Sequence, residues 1–413
     1  MNHDRITQLR IAGMRCIDSL TLDLRGLAVL IGDNGSGKST VLEALELLRQ
    51  AAKPVSFITD IVYRGHGGFQ GLLRRGSREL KLGVTVEGAG PKLEYDFVIA
   101  EVGTSPEIVG ERLSYFSNDS EESSQLLFDR EGRKIIRFLR GPKPEAFEEQ
   151  ISPTTLAVAM RSMDIRPEVE RLVNALNAIE IHAPFETRPI WQQEELETRY
   201  GPRKPTVVDS SQSLARYAVN LSNCYHQLRN LGDEVWTRVR DRIRLGLGND
   251  FRDFRLRSPN PGHLTLEIIY GFAPDKPVPI DSLSEGQISY LAFVALVELN
   301  EGRSVLALDE PELHLHPALL TRVVGMLEEV AESCPVILAT HSDRLLDALA
   351  DPANSVVLCD LDDARTTRLQ RPNPKRLAEW LETYRGLGSV RAEGYEAHVF
   401  DGGPAVSSPE KES

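Results

Sequence analysis

The stretch LAVLIGDNGSGKST at residues 27–40 sets the tightest limit on what this chain can fold into. An apolar run breaks at Gly32 into the loop Gly32-Asp33-Asn34-Gly35-Ser36-Gly37, which ends in Lys38-Ser39-Thr40. This is G-x-x-x-x-G-K-S, the phosphate-binding loop, and it requires a strand before it and a helix after it. Gly32, Gly35 and Gly37 let the backbone curl until successive N–H groups converge on an anion. Lys38 then supplies a point charge for β- and γ-phosphates, and the Ser39 hydroxyl a ligand for Mg²⁺. A helix from about Ser39 to Leu48 turns its positive N-terminal end to the same phosphates. The bland alternative is a Gly-rich turn that carries a lysine by chance. Strand, loop and helix arriving in the required order argue against it, so a nucleoside triphosphate is the expected ligand.

Periodicity organises the remainder of the 413 residues. Residues 5–31 read as a β-hairpin leading into a core strand, and 71–102 as further antiparallel strands between Gly-rich turns. Residues 103–150, rich in Ser, Glu and Pro, read as loops around one hairpin, SQLLFDREGRKIIRFLR. From Pro167 to Leu247 the period turns helical, interrupted by the Pro-rich APFETRPIWQQEELETRYGPRKP. After the strand LTLEIIYGF come a helix (287–300), a strand (305–310), a helix (317–331), a strand (335–340), a helix (342–350) and a strand (355–360). That alternation predicts an α/β fold with a doubly wound, mostly parallel sheet. The expected division is 1–150, the N-terminal half of a nucleotide-binding head with an antiparallel β subdomain; 151–260, a helical insert lobe; 261–400, the C-terminal half of the head; and 401–413, a disordered tail.

Net charge is −13, which disfavours indiscriminate binding to nucleic acid. Charge is nevertheless local: Arg238, Arg240, Arg242, Arg244, Arg252, Arg255 and Arg257 crowd one stretch, and Arg74, Arg75 and Arg78 another. A solvated face balanced by Asp241, Asp250 and Asp253 and a patch for double-stranded DNA are equally open. No apolar run approaches membrane-spanning length, and the N-terminus lacks the apolar core of a signal peptide. Cys16, Cys224, Cys334 and Cys359 lie too far apart for a zinc site or a disulfide framework. The expectation is a cytoplasmic protein without a membrane anchor.

The strand VLALDEPE (305–312) ends in two carboxylates that strand alternation would send to different sides. Asp309 suits Mg²⁺, which takes few protein ligands beside phosphate oxygens and water. Glu310 is then the group that takes the proton of an attacking water, or orients it. In LSEGQ (283–287), Ser284 is a natural N-cap and Gly286 permits close backbone approach.

In this position LSEGQ resembles the LSGGQ signature of ABC-type ATPases, with Glu285 in place of the first Gly, as the DNA-repair branch often has it. His341, in ATHSD, stands where that family has its switch histidine, which implies a hydrogen bond to the γ-phosphate. The resemblance covers most of 1–60 and 278–360. It implies an ATP-hydrolysing, ATP-dependent head-to-tail homodimer of P-loop NTPase heads. Each ATP would be held by Lys38, Ser39 and Asp309 of one subunit and capped by Ser284 and Gly286 of the other. The opening ITQLRIAGMRCIDSLTLDL and the run EPELHLHP are similar to RecF-, SMC- and OLD-type heads, where a basic residue like Arg15 often touches the nucleotide. More narrowly, the closing AEWLETYRGLGSVRAEGYEAHVF resembles bacterial AAA-family ATPases related to abortive-infection (AbiEii-like) ATPases. For the family's glutamine loop, Gln70 and Gln150 are candidates, each more in keeping with a plain surface glutamine. His314 and His316 point to a structural or dimer-contact role several times more readily than to a metal. The resemblance implies an ATPase switch in DNA repair or anti-phage defence; the alternative is a slow nucleotide-gated scaffold that regulates a separate effector protein.

Overall fold

The computed structural model describes residues 3–116, 124–138, 146–160, 166–189, 201–299 and 302–400. Its centre is a six-stranded sheet in the order Ile179–His182, Val305–Asp309, Val336–Thr340, Leu27–Ile31, Val356–Leu361, Thr367–Gln370. The first five strands are parallel and the last pairs antiparallel at the edge. Leu27–Ile31 is buried along its whole length, as a strand covered on both faces must be. Alternation distributes its side chains between two cores. Leu27, Val29 and Ile31 join Leu306, Leu308, Val336 and Leu338 under the helices Glu285–Glu298 and Pro317–Ala331. Leu30 joins Ala307, Ile337 and Val357 under the helix Lys38–Ala51, whose Val41, Leu45 and Leu48 face the sheet.

The second core is shared with an eight-stranded antiparallel sheet that runs from Ile17–Asp23 through Arg5–Met14, Glu79–Glu87 and Leu93–Val102 to Ala146–Gln150. Here the structure corrects the loops expected over 103–150. Beyond the anticipated hairpin (Ser124–Glu131 with Lys134–Phe138), Ser105–Phe116 and Ala146–Gln150 are also strands. Ser105–Phe116 buries Pro106, Ile108 and Leu113 while Glu107 and Arg112 stay more open, so its polar composition is that of a strand with one wet face.

The stretch 151–260, expected as a helical lobe, is mixed. Its helices Pro167–Asn177, Leu221–Asn230 and Asp233–Leu247 are present, but Ile179–His182 is the edge strand of the central sheet, paired in register with Val305–Leu308. Phe251–Arg257 pairs with His263–Tyr270 in a third, small sheet, on which the rings of Tyr225 and Trp236 pack at a tilt against Phe254. After His341, only Asp343–Leu346 is helical, capped by Ser342, rather than all of 342–350. The tail expected at 401–413 lies outside the described residues. No helix among the described residues is long and apolar enough to cross a membrane.

Candidate functional site

The parallel strands deliver their C-terminal ends to one crevice, the usual place for ligands in open α/β sheets. From Ile31 the chain enters the loop through Gly32 at φ +154°, where a Cβ would stand 2.0 Å from the carbonyl oxygen of Cys359. Gly37, at φ +110°, is as closely held, with Thr367 Oγ1 2.6 Å from where a Cβ would be. These approaches leave no room for any other residue type. Lys38 is buried and its Nζ donates to the carbonyl oxygens of Gly32 (2.6 Å) and Asp33 (2.9 Å). Burial lowers its pKa, while the negative charges of Asp33 and Asp309 act the other way. Ser36 Oγ is buried with no hydrogen-bond partner, and Thr367 Oγ1 donates to the Ser36 carbonyl at 2.9 Å. Asp33, Asn34, Gly35 and Ser39 are exposed, whereas Thr40 is buried in the helix.

Asp309 ends its strand, and Glu310 leaves it in the left-handed region at φ +45°, its N–H donating to Ala339 O at 2.8 Å. The strand alternation expected to part the two acids therefore does not apply. Burial raises the Asp309 pKa, with Glu310 the next cause; Lys38 and His341 pull it back. Asp309 thus has Lys38, Glu310 and His341 within electrostatic reach. His341 is exposed, and its position is set from behind. Glu312 accepts hydrogen bonds from Thr340 Oγ1 (2.5 Å) and from the His341 backbone, and the Ser342 N–H donates to Thr340 Oγ1 at 2.9 Å. Burial holds the Glu312 carboxyl above its ordinary pKa.

Arg15, at φ +50°, makes an ion pair with Glu43 on the loop helix (Nε–Oε2 2.7 Å), and His66 Nδ1 meets the same carboxylate at 2.8 Å. Ser39, Glu43, His66, Arg216 and Asp309 line one cleft of about 400 Å³. Ser39 and Asp309 offer hard oxygen donors, a set suited to Mg²⁺ beside phosphate oxygens. The orphaned Ser36 hydroxyl, the closely held glycines and the Lys38 ammonium suit phosphate.

The structure does not bring the signature residues into this cleft. Ser284 caps the helix Glu285–Glu298 in a reciprocal box with Gln287, and Glu285 pairs with His314 Nδ1 at 2.7 Å. Gly286 packs so that a Cβ would stand 2.8 Å from His314 O. Ser284 and Gly286 share no hydrogen bond with Gly32–Thr40 among the described residues. His316 caps the next helix, so both histidines of HLHP have structural contacts, and no group of three or more metal-ligating side chains occurs among the described residues. Gln70 bonds Glu101, Gln150 ends the far edge strand, and neither lines the cleft.

Sequence reasoning missed Glu312, His66 and Arg391. Arg391 pairs with Asp343 and Glu396 (2.7 Å each) and approaches Asp33 at 3.9 Å, linking the loop to the segment after His341. Only EPELHLHP carried a trace of one of them; the other two depend on distant chain segments meeting. Five of the seven crowded arginines are ion-paired within the chain: Arg238 and Arg242 to Glu298, Arg244 to Asp241, Arg255 and Arg257 to Glu267.

Residues 27–347 match the family model described as "AAA domain, putative AbiEii toxin, Type IV TA system". Over 378 residues the chain is 22% identical to an OLD nuclease of Thermus scotoductus, covering 87% of this chain and 63% of that protein. The chain thus spans less than two thirds of that relative's length. Its fold is similar to that of an SMC head domain with an extended coiled coil, solved bound to the C-terminal domain of ScpA from Pyrococcus furiosus. The TM-score is 0.51 at 11% identity, covering 92% of this chain and 99% of that one.

Proposed function

Because the chain belongs to this AAA-domain family, within the P-loop ATPase class that includes OLD and SMC-like heads, we propose that it binds and hydrolyses ATP as an ATP-gated head-to-tail homodimer. One observation carries this reading: Lys38, Glu310 and His341, from three separate stretches, all lie within electrostatic reach of Asp309 beside the glycine loop. Lys38 and the backbone N–H groups of Gly32–Thr40 hold the β- and γ-phosphates. Ser39 and Asp309 would hold Mg²⁺, which would supply charge neutralisation at those phosphates. Glu310 takes the proton of the attacking water, and His341 donates a hydrogen bond to the γ-phosphate. Ser284 and Gly286 of the second subunit close the site. The family description and the OLD relative suit a task in DNA repair or anti-phage defence.

Glu310→Gln keeps the shape and removes the proton acceptor. With saturating ATP it is expected to accumulate as a dimer by light scattering, while Lys38→Ala loses ATP binding and stays monomeric. A Glu310→Gln protein that remains monomeric with bound ATP would falsify the clamp. A second reading, a slow nucleotide-gated scaffold for a separate effector protein, is favoured by the internal pairing of the arginine stretch, which leaves little of it for DNA.

A further inference from the structure

His66, at the end of the segment Phe57–His66, lines the same cleft as Ser39 and Asp309. Its side chain is 14% exposed, and its one hydrogen bond among the described residues is Nδ1 to Glu43 Oε1 at 2.8 Å. Glu43 stands four residues after Ser39 on the loop helix, hence on the same face. Arg15 grips the same carboxylate from the other side, through Nε to Oε2 (2.7 Å) and Nη2 to Oε1 (2.9 Å). Burial pushes the Glu43 carboxyl up, but His66 and Arg15 outweigh it and hold the group below its ordinary pKa. An ionised carboxylate only accepts, so Nδ1 carries a proton, and in the neutral ring Nε2 presents a lone pair. The ring is thereby fixed in tautomer and orientation, as a carboxylate fixes a histidine that must act through its other nitrogen.

We propose that His66 is a water-positioning residue: its Nε2 accepts a hydrogen bond from the water that attacks the γ-phosphate, while Glu43, clamped by Arg15, sets its aim. The proposal rests on the ATPase reading above. The water oxygen bonds to the γ-phosphorus and the bond to the β,γ-bridging oxygen breaks, leaving ADP and phosphate. The water's proton passes to Glu310, and His66 keeps its own proton throughout. Arg15, expected to touch the nucleotide, acts one step behind it through Glu43.

The test is steady-state ATP turnover and ATP affinity of the full chain, compared with His66→Ala, His66→Gln and Lys38→Ala. His66→Ala is expected to lower kcat on the order of 10²-fold, with the Kd for ATP changed by no more than about twofold. Added imidazole restores part of the lost rate in the space left by the ring, and His66→Gln, which keeps an acceptor, turns over faster than His66→Ala. Glu43→Leu falls with His66→Ala, and the double variant is no worse than either. A wild-type kcat in His66→Ala, or a loss that imidazole and Gln both fail to repair, overturns the proposal and makes the residue a fastener of the Phe57–His66 segment. Absence of Lys38-dependent turnover in the wild-type chain overturns the ATPase reading, and this proposal with it.

Discussion

A buried charge next to a sheet edge persists only when it is answered, and Glu180 shows how. It lies in the edge strand Ile179–His182, paired with Arg303, and His182 Nε2 bonds it at 2.6 Å. The same guanidinium donates to the carbonyls of Leu296 (2.7 Å) and Leu299 (2.8 Å), so one cation ties the wall of the cleft to the end of the signature helix. Glu180→Leu leaves Arg303 buried without its carboxylate partner, and a loss of about 3–5 kcal/mol is expected in the unfolding free energy from urea titration. Burial pushes the Glu180 carboxyl up, but Arg303 and His182 prevail and hold it below its ordinary value of 4.5. Its folded pKa is therefore the lower one, and the unfolded state takes up the proton first as pH falls. The stabilisation is present in full above pH 4.5 and is lost as pH falls through the folded value. The difference between wild type and Glu180→Leu should narrow over that acid range; a difference that widened would mean that the ion pair is not its source.

Elements differ in how far the sequence alone specifies them. The phosphate loop, its helix and the Asp309 and His341 strand ends were legible because each is written within a dozen contiguous residues. The four-residue strand Ile179–His182 was not, since its existence depends on Val305–Leu308 standing beside it and its own period merges with the preceding helix. Glu310's left-handed turn and the His66–Glu43 contact were illegible for the same reason: tertiary approach, not local propensity, fixes them. The signature helix is the intermediate case, with its cap legible and its grip on His314 not. Ser284→Ala removes the cap at a cost of about 1 kcal/mol, and Ser284→Asn, an equally good capping residue, restores it. A residue that also closes the partner subunit's site predicts more than that. Thermal stability should recover in Ser284→Asn while ATP-dependent dimerisation and turnover stay impaired. Recovery of both would reduce Ser284 to a helix cap.

For the whole molecule, charge placement bears directly on what the proposed ATP cycle acts on. A net charge of −13 repels a polyanion unless cations are gathered and free. Most of the longer stretch is engaged: Glu298, with a side chain only 2% exposed, takes both Arg238 (2.8 Å) and Arg242 (2.6 Å), and Arg242 also reaches Glu329 at 2.6 Å. Arg74, in the smaller cluster, bonds Cys16 O (2.9 Å) and Thr366 Oγ1 (2.7 Å). To bind phosphates, Arg238 and Arg242 would have to abandon a buried carboxylate, which costs more than a surface phosphate contact returns. Steady-state ATP hydrolysis at low salt is therefore expected to change less than about twofold when linear double-stranded DNA is added. Arg238→Ala with Arg242→Ala should lower the unfolding midpoint, because Glu298 is left buried and unpaired, without altering any response to DNA. Stimulation of several-fold that fades steeply with added salt, and that this double variant abolishes, would return DNA to the cycle. It would also require Glu298 to release its arginines in the ATP-bound dimer, a rearrangement that protection of the helix Asp233–Leu247 from hydrogen exchange would report directly.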